Sequence, residues 1–143
     1  MTHIREWFLA AFGLAGGAVS AALGGFDAGL ATLCSMMAAD YASGLIVAGV
    51  FKRSKKSKKG ALDSSAGFKG LMKKCMCLLF VLIGHQLDTY IGTNFLRDGV
   101  IVAFIANELI SIIENAGLMG VPVPAVVSKA IDILNKKGES EGK

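Results

Sequence analysis

Between Trp7 and Phe51 the only charged side chains are Asp27 and Asp40, and the sequence Phe-Lys-Arg-Ser-Lys-Lys-Ser-Lys-Lys-Gly follows at once. Two apolar runs of bilayer-spanning length ahead of a dense cationic cluster predict a membrane protein with that cluster on the cytoplasmic side. A soluble domain alternates polar and apolar positions on this scale, because one face of each element meets water. The rest of the chain agrees. Of its 143 residues 53% are hydrophobic, more than an ordinary globular domain carries.

The expected fold is an all-α integral membrane protein with about four transmembrane helices, three being the alternative, and a C-terminal amphipathic helix in the cytoplasm. The spans are placed at residues 7–25, 30–51, 71–92 and 96–115, within a transmembrane domain covering residues 1–120. In the first span Gly13, Gly17, Ala21 and Gly25 recur every fourth position, a small-residue face that lets helix backbones approach closely. The apolar core of the fourth span, residues 99–113, is short for a crossing and needs its flanks recruited. Pro122 and Pro124 end that helix, since neither can donate to a helical ladder. Residues 121–143 then read as a cytoplasmic amphipathic helix, with Val126, Val127, Ala130, Ile131 and Leu134 on one face, resting on the membrane or on partner helices and ending in a disordered tail.

Charge sets the orientation. Lys52, Arg53, Lys55, Lys56, Lys58, Lys59, Lys73 and Lys74 cluster in and beside a loop at residues 52–70, and are expected to hold anionic lipid headgroups. With that loop inside, four spans put both termini in the cytoplasm and leave Arg97 as the basic residue of the outer turns. A basic run between apolar spans is a retained cytoplasmic loop far more often than a nucleic-acid contact, so no nucleic-acid partner is expected. The N-terminal segment imitates a signal peptide, but Glu6 weakens its positive region and the apolar run continues for a full span, so a permanent helix is expected.

Cys34, Cys75 and Cys77 match neither a zinc site nor a disulfide framework, and two His with no nucleophile–base–acid arrangement give no support to an enzyme. No cofactor is expected, and nothing in the spacing of Asp40, His85, Asp88 and Glu108 demands a metal.

Polar groups inside spans are costly and need an explanation. Asp40 lies mid-span with Ser43 and Gly44 beside it, and His85, Asp88 and Thr89 share a face of the third span. On the fourth, Asn107, Glu108, Ser111, Glu114 and Asn115 form a polar stripe. Lipid cannot satisfy such a stripe, so it faces protein or water. Two readings stand side by side: an interior hydrogen-bonding seam, for instance Asp40 against His85, and a water-lined assembly surface that is wetted on rearrangement.

The stretch 107–124, Asn-Glu-Leu-Ile-Ser-Ile-Ile-Glu-Asn-Ala-Gly-Leu-Met-Gly-Val-Pro-Val-Pro, resembles the tail motif of the toxin-secretion/phage-lysis holin family, the bacteriophage holin family 4 type that includes clostridial toxin-secretion holins. Asp40 with Gly44 looks like its Asp-x-x-x-Gly, and Ser64, Ser65, Gly67, Gly70, Lys73 and Lys74 look like its connecting element. Asp88 corresponds to an acidic residue late in the following span, and the similarity runs over residues 40–134. The resemblance implies a phage or prophage protein that homo-oligomerises in the bacterial cytoplasmic membrane. It opens lesions through which an endolysin reaches the cell wall or a large toxin leaves. The other readings are a small ion channel or transporter using the buried carboxylates, and a non-conducting antiholin-like regulator. Neither accounts for the tail motif.

Overall fold

The computed structural model describes residues 2–141, and every regular element in it is a helix. Helix α1 is Thr2–Ala22, α2 is Ala28–Ile46 continued by a π-helical turn Val47–Phe51, and α3 is Ser64–Ile91. Helix α4 is Leu96–Leu118 and α5 is Ala125–Glu141. One helix among the described residues, the continuous Ala28–Phe51, is long and apolar enough to cross a membrane by length and hydropathy, against about four expected from the sequence.

Local chemistry sets the helix ends. The Asp27 carboxylate accepts from the Leu30 amide at 2.9 Å and caps α2. Asp63 accepts from the Ser65 and Ala66 amides at 2.8 and 3.4 Å and caps α3. That cap starts α3 seven residues ahead of the expected span, so the basic connection is residues 52–63 and not 52–70. Residues 64–70 read as loop from their Gly and Ser content, but a capping Asp overrides composition there. Gly92, at φ 80°, closes α3 in the left-handed conformation that Gly adopts without a Cβ penalty. Helix α4 extends at both ends beyond the apolar core and, at 23 residues, spans about 35 Å. It is not short.

Helix α4 is the centre of the molecule and packs against α2, α3 and α5, while α2 and α3 touch each other sparingly. Leu30, Leu33 and Met37 of α2, Val81 of α3 and Ile101 and Ile105 of α4 form the buried core, joined by Leu23 from the end of α1. Gly84 permits the close α3–α4 approach: a Cβ there would sit 3.0 Å from the Arg97 Cα. The remainder of α1 stands off the bundle, with Trp7, Phe8, Phe12 and Leu14 all exposed. Its Gly13, Gly17 and Ala21 face is open, but Gly25 does not continue it, because the helix ends at Ala22 and Gly25 lies in the turn at φ 95°.

The C-terminal segment takes one of its two expected positions, against partner helices. Helix α5 folds back along α4 toward the latter's N-terminal end, with Leu134 against the core and Gly138 within 3.8 Å of Val102 measured from a built Cβ. It is part of the bundle and not an appendage at the basic end. Residues 138–141, expected as disordered tail, continue the helix, and the last two residues of that tail lie outside the described residues.

Candidate functional site

The side chains that the sequence marks as polar and membrane-embedded resolve into two clusters at different levels of the bundle. The first joins α2, α3 and α4. The Lys74 ammonium donates to Asp40 Oδ2 at 2.7 Å and to Glu108 Oε2. All three are nearly enclosed, with side-chain exposures of 12% for Lys74, 7% for Asp40 and 6% for Glu108. On the other side of Asp40, the Asn115 amide donates to Asp40 Oδ1 at 3.2 Å and to Ser43 Oγ at 2.8 Å. Ser111 lies beside the same carboxylate. Gly44 adjoins this contact: a Cβ there would lie 3.8 Å from the Asn115 amide nitrogen, at ordinary contact distance.

The arrangement corrects two expectations. Asp40 pairs with Lys74 and not with His85, and Lys74 is not a headgroup contact. A Lys four residues into an apolar span reads as one that snorkels, but two carboxylates inside the bundle at its level outcompete the membrane surface. The stripe on α4 also divides. Ser111 and Asn115 turn toward α2 and Glu108 toward Lys74 of α3, with Glu108 and Asn115 buried, whereas Asn107 and Glu114 are exposed.

Beside the Lys74 cluster is a cavity of about 700 Å³ between α2, α3 and the 52–63 connection, walled by Tyr41, Leu45, Leu62, Phe68, Asn107 and Ser111. It exists because α2 and α3 each pack on α4 and scarcely on one another. The cationic loop lies over this end of the bundle, where the Arg53 guanidinium donates to the Leu118 carbonyl at 3.5 Å. Lys52, Arg53, Lys55, Lys56, Lys58, Lys59 and Lys73 are all exposed.

The second cluster ties the two turns at the opposite end. Arg97, a buried residue, donates to Asp27 at 2.7 Å, to Asp98 at 3.0 Å, and to the carbonyls of Leu23 and Gly25. Asp88 accepts from the Thr93 hydroxyl at 2.6 Å and from the Leu96 and Arg97 amides at 3.1 and 2.8 Å. It therefore caps α4 from the preceding helix, since the N-cap position of α4 itself, Phe95, offers no side-chain acceptor. The Arg97 guanidinium and the Leu30 amide hold the Asp27 carboxyl below the usual carboxylate range, against a partial desolvation that opposes them. His85 joins Asp27, Asp88, Thr89, Arg97 and Asp98 around a cleft of about 280 Å³. Asp40 and Glu108 thus belong to one cluster and His85 and Asp88 to the other. Among the described residues no group of three or more His, Cys, Asp or Glu is placed to hold a metal ion.

Sequence reasoning missed Arg97 as a structural residue. The signal was present: Asp27 and Arg97 are the acidic and basic members of two turns at the same end of a helix bundle.

An apolar-coated bundle with a buried ionic seam, one cationic end and one capped, acidic end defines the class: a small all-helical protein. Residues 17–136 match the bacteriophage holin family, and the chain belongs to that family. It is 43% identical over 136 residues to an uncharacterized protein of Listeria monocytogenes, covering 92% of this chain and 91% of the relative. It is 34% identical over 116 residues to an uncharacterized 14.9 kDa protein of Clostridium perfringens, covering 80% and 82% respectively. A probable holin of Bacillus phage phi105 is 29% identical over 103 residues, covering 71% of this chain and 70% of the relative. No solved structure matches the chain.

Proposed function

We propose that this protein is a phage or prophage holin: a non-enzymatic protein that oligomerises in the bacterial cytoplasmic membrane and opens lesions large enough to release an endolysin or a large protein toxin. The observation that carries the reading is the family match over residues 17–136. The architecture supports it. Exposed Leu45, Ile46, Val50, Met76, Leu79, Phe80 and Ile83 give the bundle an apolar outside, while Asp40, Lys74 and Glu108 neutralise much of one another inside. In this reading the four helices α1–α4 cross the bilayer with the 52–63 connection in the cytoplasm. Its exposed Lys and Arg hold anionic headgroups at roughly 1 kcal/mol for each well-placed cation.

Helix α1 is the proposed assembly arm. From Trp7 onward it is apolar, it meets the bundle near its C-terminal end, and it presents Gly13 and Gly17, where a Cβ would meet nothing within 4 Å. That open face suits a second copy's helix. Asp40, His85, Asp88 and Glu108 do not line up as one ion path, since they belong to separate clusters. Liposomes holding both a small dye and a folded protein test the reading. Release of both on addition of the purified chain is expected, and release of the dye or ions alone would overturn a protein-passing lesion.

A further inference from the structure

One long charged face of the bundle is exposed at the depth of its core, and it belongs to α5. Helix α4 rises about 24 Å between Val102 and Leu118, and α5 returns about 20 Å between Ala125 and Gly138, at 1.5 Å per residue. The Gly138–Val102 approach and the seating of Leu134 on the core fix that return alongside α4, within the depth a crossing helix occupies. Val127, Ala130, Ile131 and Leu134 are half-buried, while Lys129, Asp132 and Lys136 form an exposed stripe at i, i+3 and i+7.

The α4 stripe is in a different position. Glu108 and Asn115 are buried and already bonded to Lys74, Asp40 and Ser43. Breaking those pairs to wet α4 strips Lys74 of its second carboxylate and Asp40 of its Asn115 amide donor, inside a bundle that offers no replacement. Wetting α5 breaks none of them. Lipid cannot solvate a Lys–Asp–Lys stripe at this depth, so water or another polar surface must meet it.

We propose that α5, and not the α4 stripe, lines the water-filled path: in the assembled state several copies turn Lys129, Asp132 and Lys136 toward a shared lumen. The inference rests on the holin reading. It also carries the C-terminal end of α5 toward the acidic end of the bundle and away from the basic loop.

The test uses the full chain in membranes of induced cells, with Cys34, Cys75 and Cys77 replaced by Ala in a form that retains lysis. Val102→Cys combined with Gly138→Cys reports whether α5 lies along α4 by disulfide formation. Lys129→Cys and Lys136→Cys, each alone, report contact with water through a charged, membrane-impermeant thiol reagent, with Leu79→Cys as the lipid-facing reference. Expected are a disulfide in most chains and labelling of Lys129→Cys and Lys136→Cys roughly tenfold or more faster than Leu79→Cys, because thiolate reactivity needs water. Lysis with no disulfide between the two introduced thiols of the double variant would overturn the proposal while leaving the holin reading intact. So would a disulfide accompanied by labelling as slow as at Leu79→Cys. Failure of the natural chain to permit lysis would instead defeat the holin reading itself.

Discussion

With its ammonium between two carboxylates and 12% of its side chain exposed, Lys74 cannot be removed without leaving charge behind. Lys74→Met is expected to cost about 3–5 kcal/mol, the usual penalty for breaking a buried pair from one side. Asp40→Asn/Lys74→Met/Glu108→Gln, which removes all three charges, should recover most of that loss. Thermal unfolding in detergent measures both, and a single variant as stable as the natural chain would show that the seam does not hold the bundle. At the other end Asp27 gives a pH dependence with a definite sign. Its folded-state pKa is lowered, so its contribution is complete above the ordinary carboxylate range and fades as pH falls through the lowered value. Because its side chain is 51% exposed, screening limits the contribution to under about 1 kcal/mol. Asp27→Asn keeps a capping side chain but not the charge, so the stability difference between it and the natural chain should hold steady at neutral pH. That difference should shrink toward zero below about pH 4, where carboxylates take up protons. The polar residues themselves were legible in the sequence, since each interrupts an apolar run. Their partners were not, because pairing depends on which helices pack together: Asp40 and His85 sit at comparable depth on paper, yet Lys74, Ser111 and Asn115 reach Asp40 and His85 belongs to the other cluster.

Helix packing separates glycines that serve the fold from those available to a partner. A Cβ on Gly84 would lie 3.0 and 3.1 Å from the Arg97 Cα and N, backbone atoms that cannot swing away. Gly84→Ala should therefore force α3 and α4 apart at a cost of about 1–3 kcal/mol. A Cβ at Gly17 meets nothing within 4 Å, so Gly17→Ile should leave unfolding nearly unchanged while assembly, read by cross-linking in membranes, is delayed or lost. Equal effects of the two variants on unfolding would contradict the division. The helices α1 to α4 were legible from apolar run length to within several residues of their ends. What the runs concealed were capping and connection: Asp63 starting α3 early, Asp88 reaching across to cap α4, and α5 folding back. Amphipathicity shows that α5 has an apolar face but not which surface that face meets. A membrane surface and a neighbouring helix demand the same pattern.

For the whole molecule, charge is sorted by position. Exposed cations gather where α2, α3 and α4 converge on the basic connection, an ionic seam lies within the bundle, and acidic turns bound to Arg97 close the other end. Apolar side chains cover much of the surface between. In the proposed reading such a protomer rests in lipid with its buried polar groups matched to one another, and assembly supplies the water that the exposed α5 stripe requires. The most direct measurement is induced expression in a bacterium that also carries a cytosolic endolysin and a cytosolic reporter enzyme, following turbidity and reporter release. Abrupt lysis after a delay, requiring both this protein and the endolysin, is the expected result. Loss of membrane potential with the reporter retained, or no effect on the cells at all, would contradict a lesion that passes folded protein.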